Sequence, residues 1–98
     1  MRKIYICGKI TGDPNCRNKF IEAEDRLHEL GYNPVNPAVI VPLNEPCCYE
    51  AMRTVVKAML FCDGVALLPD WKKSKGAKIE ERLARELGMD VRSIVDWC

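Results

Sequence analysis

The chain holds one histidine, His28, in 98 residues, and no Cys-x-x-Cys pair. A structural zinc site needs several such ligands at close spacing, so no metal is expected. Long apolar runs are also missing. None approaches the roughly 20 residues that cross a bilayer, and no membrane partner is expected. The opening stretch "MRKIYICGKITG" has a basic pair, but its apolar run is short and stops at Gly8. It does not resemble a secretory leader, which points to a cytoplasmic protein. An excess of either charge is lacking as well. Fifteen Lys and Arg against 14 Asp and Glu leave a net charge of +1, too little to argue for polymeric nucleic acid. No repeat, low-complexity tract or linker divides the chain. Residues 1–98 are read as one domain, because two would be too small to hold separate cores.

Six cysteines stand at positions 7, 16, 47, 48, 62 and 98. An even count in a short chain invites a disulfide framework, but without a secretory leader reduced thiols are expected. Cys7 and Cys62 lie in apolar stretches and read as small core residues. Cys47 and Cys48 are adjacent in a loop, and Cys98 is the last residue.

The hydrophobic pattern alternates between strand and helix. "KIYIC" (3–7) is a β-rich run ended by Gly8, and Tyr5 within it reads as core. Residues 15–30 place Phe20, Ala23, Leu27 and Leu30 at helical spacing, with Gly31 as the stop. The proline-rich segment 32–42 can hold only a short strand near Val35. Residues 49–61 form a second helix with Met52, Val55 or Val56, Met59 and Leu60 on its apolar side. "DGVALLP" (63–69) is almost wholly apolar, as in a strand buried on both faces. A third helix over about 75–87 and a strand over 91–95 complete the order. This alternation predicts an α/β fold, a flavodoxin-like or Rossmann-like three-layer sandwich on a short parallel sheet of about four strands.

In such sheets ligands bind beyond the carboxyl ends of the strands, where the strand order reverses. Three segments arrive there: "GKITGD", "NPAVIVPLNEPCCYE" and "PDWKKSKGA". The first could cradle a phosphate with Gly8, Lys9 and Gly12, although its spacing is neither a Walker loop nor G-x-G-x-x-G. A plain glycine-permitted turn would look the same. In the third, Ser74 is a natural N-cap. Gly76 in a first turn costs helix stability, yet it would let a ligand approach the free amides of a helix start. Glu80 then projects near that ligand, unless it is merely a first-turn carboxylate favoured by the helix dipole. Glu81 and Arg85 form an exposed i,i+4 pair. Trp71 either stacks on a base or packs at the strand exit.

Taken together, "YICGKITG", "NP" at 36–37, "MR" at 52–53, "CDGVALLPDW" and "SKGAKIEERLARELG" resemble small, mostly phage and bacterial, proteins of unknown function. These are related to the nucleoside 2-deoxyribosyltransferases, and the resemblance covers nearly the whole chain in order. It implies N-glycosidic chemistry on a (deoxy)nucleoside or its 5′-monophosphate, with Glu80 as the nucleophile and no cofactor. It places the base and sugar beside the loop Gly8, Lys9, Ile10, Gly12 and Asp13. Ser74, Gly76 and Ala77 would hold the 5′ end. It also implies a homodimer or larger homo-oligomer. One position departs from the pattern: relatives often carry an aspartate in the middle helix where this chain has Val55. Asp63, Asp70 and Asp13 are the substitutes the sequence offers. The departure keeps open a protein that binds a nucleotide without turning it over. A flavin carrier on the same fold rests on analogy alone.

Overall fold

The computed structural model describes residues 2–10, 12–40 and 49–97. The sequence expectations for Cys47, Cys48, Cys98 and most of the loop after the second strand lie outside the described residues. The order of elements is β1 (Lys3–Cys7), α1 (Cys16–Glu29), β2 (Asn33–Val35), α2 (Tyr49–Leu60), β3 (Gly64–Leu67), α3 (Lys75–Glu86), β4 (Asp90–Ser93) and α4 (Ile94–Trp97). The four strands are parallel and lie in the order β2-β1-β3-β4. The chain moves outward from β1 to β2, then returns past β1 to β3. The crevice between the carboxyl ends of β1 and β3 is therefore the point where strand order reverses.

Strand alternation sorts β1 into two cores. Ile4 and Ile6 pack with Phe20, Ala23 and Leu27 of α1 on one face of the sheet. Tyr5 and Cys7 face the other way, among Val55 and Met59 of α2 and Ala77 and Ala84 of α3. All four strand side chains are fully buried, the pattern of a parallel sheet covered on both faces. The helices end as their residues dictate. Gly31 and Gly88 follow α1 and α3 with φ of +88° and +73°, a region glycine enters without strain. Asn36 is buried and accepts the Ala38 amide at 2.9 Å. This caps a short 3-10 turn at Pro37–Val39 that the proline-rich sequence did not announce.

The last strand differs from expectation. It ends at Ser93, which pairs with Leu67, the last residue of β3. The β3–β4 pairing ends at that register, and residues 94–97 form a helical turn instead of extending the strand to 95. The turn buries Ile94 and Trp97, three residues apart, against the α1 side of the core. Trp97 Nε1 donates to Val65 O at 3.0 Å. Its ring meets Tyr32 edge-on at 5.5 Å and lies under the guanidinium groups of Arg92 (4.7 Å) and Arg2 (5.4 Å). Asp90 hydrogen-bonds both arginines. Among the described residues no helix is long and apolar enough to cross a membrane. The cysteines at 7, 16 and 62 are free and buried.

Candidate active site

At the carboxyl ends of β1 and β3 lies a cavity of about 260 Å3, near the lower end of small-molecule sites, which run from roughly 300 to 1,000 Å3. Gly8, Lys9 and Ile10 form one wall. Ala51, Met52 and Val55 of α2 form another. Lys73, Ser74, Lys75, Gly76 and Ala77 bring in the start of α3, and Glu80 stands at the base.

Two walls follow from local sequence. Ser74 Oγ accepts the Ala77 amide at 3.2 Å, which makes it the N-cap of α3. The amides of Lys75 and Gly76 have no acceptor among the described residues. They form the positive end of a 12-residue helix, and Lys73 and Lys75 line the same wall on either side of Ser74. Such an end favours an anion. The glycine requirement at position 8 has a packing cause. A Cβ there would stand 2.7 Å from Leu68 Cδ1, so the strand exit can press against Leu68 only without a side chain. At Gly76 a Cβ would meet Met52 Sδ at 3.3 Å, so the glycine widens the cavity on its α2 side.

Glu80 is only 6% exposed, and its carboxylate has two donors, both from β1. Tyr5 Oη donates to Oε2 at 3.0 Å, and Cys7 Sγ approaches Oε1 at 3.5 Å. Burial raises the Glu80 carboxyl from 4.5 to about 7, against the two hydrogen bonds, which favour the charged form. Desolvation outweighs two donors because a carboxylate in an apolar shell loses more hydration than they replace. Near neutral pH the group is thus divided between charged and neutral forms. The Tyr5 hydroxyl and Cys7 thiol are both pushed up, first by burial and then by the neighbouring carboxylate. They stay protonated and act as donors.

The structure brings together Gly8, Lys9, Ile10, Ser74, Gly76, Ala77 and Glu80 from the residues singled out in the sequence. Gly12, Asp13 and Trp71 do not line this cavity. Gly12 has φ of +79°, with open space around it, and serves a turn. Together with Asp13 it borders a separate hollow at the start of α1. Trp71 packs against the α2–α3 side of the core and carries the Lys72 ammonium 5.7 Å above its ring.

The substitute carboxylates are committed elsewhere. Lys19 Nζ bridges Asp13 and Asp70. Its hydrogen bond, with the Asn15 amide, holds the Asp13 carboxyl below its ordinary value. Asp70 also accepts the Lys9 amide at 3.2 Å, which ties the loop after β1 to the exit of β3. Asp63 accepts the Lys3 amide at 2.9 Å, at the opposite end of the sheet. Among the described residues Glu80 is the only carboxylate on the cavity wall, and Val55 occupies the middle-helix position on that wall.

Sequence reasoning placed Tyr5 and Cys7 in the core. They are in the core, but their polar atoms face Glu80. The signal was the alternation Ile-Tyr-Ile-Cys, which puts the two residues with polar tips on one face of the strand. Lys73 and Lys75 flank Ser74 directly and were legible as neighbours of the helix start.

The model of a domain of unknown function, DUF4406, matches residues 2–93. The chain belongs to that family. No curated protein matches it. Among solved structures, the DUF4406 chain is similar to a 2-deoxyribosyltransferase from the psychrotolerant bacterium Bacillus psychrosaccharolyticus. The two are 22% identical with a TM-score of 0.65, and the match covers 91% of this chain and 69% of that chain. At that identity the likeness is one of fold. The parallel α/β sandwich expected for the DUF4406 chain is thus matched in topology and in a solved neighbour.

Proposed function

We propose that the protein binds a nucleoside or nucleoside 5′-monophosphate in this cavity and cleaves or exchanges its N-glycosidic bond, with Glu80 as the nucleophile. The observation that carries the reading is the buried Glu80 carboxylate at the base of a cavity on the switch point, held by Tyr5 and Cys7. The fold shared with a 2-deoxyribosyltransferase supports it.

The chemistry follows the retaining pattern. A Glu80 oxygen bonds to the anomeric carbon as the bond from that carbon to the base nitrogen breaks. The electron pair leaves with the base. Water then attacks the same carbon and the ester to Glu80 breaks. The water oxygen stays on the sugar, and its proton passes to the released base. In a transfer reaction a second base replaces the water. The anion-favouring start of α3, with Lys73 and Lys75, suits the 5′-phosphate. The domain would span residues 1–98, act in the cytoplasm and assemble as a homodimer or larger homo-oligomer.

Val55 favours a second reading, a protein that holds the nucleotide without turnover, because no described carboxylate other than Glu80 reaches the cavity to protonate a leaving base. One experiment separates the two. The purified protein is incubated with nucleosides, deoxynucleosides and their 5′-monophosphates, and free base is measured by chromatography. The enzymatic reading expects release that vanishes in Glu80→Gln, with ligand affinity retained within about tenfold. Equal release by the variant removes Glu80 from the mechanism. Binding with no release from any compound moves the assignment to the second reading.

A further inference from the structure

The reaction gives Glu80 a task but leaves Cys7 without one. Cys7 is fully buried, two residues along β1 from Tyr5. Its Sγ lies 3.3 Å from Ala77 O and 3.5 Å from Glu80 Oε1. One S–H proton faces two acceptors. The two carboxylate oxygens are consequently held unequally. Oε2 receives the O–H of Tyr5 at 3.0 Å, a strong donor, while Oε1 receives a weak one that has another acceptor within reach.

The geometry points to Cys7 as a positioning residue for Glu80: its thiol turns to Oε1 while the carboxylate is charged and returns to Ala77 O once Oε1 is bonded to carbon. Oε1 is then the attacking oxygen. This rests on the reading of Glu80 as the nucleophile. When Oε1 bonds to the anomeric carbon, the carbon–nitrogen bond breaks and its electron pair leaves with the base. Glu80 loses its negative charge in that step, and its oxygens become poorer acceptors. The proton stays on sulfur throughout, and only its acceptor changes. A soft donor stabilises the charged carboxylate without locking the oxygen that has to react.

Among the described residues the groups that could compete are few. From α2 only Ala51, Met52 and Val55 face the cavity, and none titrates. Lys9, Lys73 and Lys75 stand on its wall, and Glu81 and Asp70 act on the Cys7 thiol through space. Among the described residues Tyr5 and Cys7 are the donors to Glu80.

The test reads the Glu80 carboxyl directly. Protein labelled with 13C at the glutamate carboxyl is titrated by NMR, and the Glu80 signal is identified as the one missing in Glu80→Gln. Cys7→Ala is expected to move the midpoint up by about half a unit, and Cys7→Ser to move it down by a similar amount. A cysteine that only fills space would change the melting temperature and leave the midpoint in place. Midpoints unmoved in both folded variants overturn the proposal. Cys7→Ser keeps the size and a donor, so the titration remains readable if the alanine variant does not fold. Base release by the same samples keeps the two readings apart. A moved midpoint without release retains the thiol's hold on Glu80 and discards the attack by Oε1. Release with an unmoved midpoint retains the reaction and removes Cys7.

Discussion

Glu80 sets two properties in opposite directions. Its folded-state value of about 7 lies above the 4.5 of an ordinary glutamate. Between those values the folded protein binds more protons than the unfolded chain. As far as this group is concerned, stability is greatest at pH 4.5 and below, falls as pH rises through 7, and stays lower above it. The penalty at high pH is about 3 kcal/mol. Glu80→Gln removes it. The variant should match the parent in urea denaturation near pH 4.5 and exceed it by up to about 3 kcal/mol at pH 8. Equal stability of the two proteins at pH 8 would show that Glu80 is not held in a desolvated state. Under the proposed reaction, activity would run the other way, because attack requires the charged form. A protein that loses stability as a buried carboxyl ionises carries the usual cost of a desolvated charge.

At the scale of elements, α3 joins the helix cap to the candidate site. Ser74→Ala removes the acceptor of the Ala77 amide, and a loss of about 1 kcal/mol is expected in thermal or chemical denaturation. Lys73→Ala and Lys75→Ala leave that cap intact. Each should weaken a nucleoside 5′-monophosphate by about two- to fivefold, leave the matching nucleoside unchanged, and lose its effect at high salt. Calorimetric titration of the matched pair at two salt concentrations checks this. Equal losses for nucleoside and monophosphate would move the phosphate away from the start of α3.

The start of α3 was readable in the sequence because a cap, a glycine and a carboxylate follow one another within seven residues. The carboxylate's donors were not. Tyr5 and Cys7 meet Glu80 only after separations of 75 and 73 residues are folded away, and an apolar neighbourhood disguises a residue's polar tip. The turn at 94–97 was missed for a related reason: Ile94 and Val95 suit a strand, but β3 ends at Leu67 and its pairing with β4 stops at Ser93. The carboxylates at 13, 63 and 70 stood at plausible positions in the chain. Lys19 and the Lys3 amide, which engage them, become neighbours only in three dimensions.

For the whole molecule, the ends of the sheet have different duties. The cavity opens at the carboxyl ends of the central strands. Trp97 covers the α1 face of the sheet, held by Val65 O, Tyr32 and the two arginines. Trp97→Ala should cost about 3–5 kcal/mol in urea denaturation and leave ligand affinity of the folded protein unchanged. A loss of affinity in step with stability would mean that the two regions are not independent.

Strand β1 is hydrogen-bonded on both edges and covered on both faces. Regions of that kind open only when the entire domain does, whereas exposed loops open locally and often. Both described donors to Glu80 sit on that strand, whereas the cavity also draws on the loop after β1 and the turn before α3. Amide exchange would therefore run slower along β1, beneath the Glu80 carboxylate, than in those two connections. The carboxylate would be kept in register by a persistent strand, while the loop and turn beside it open more readily.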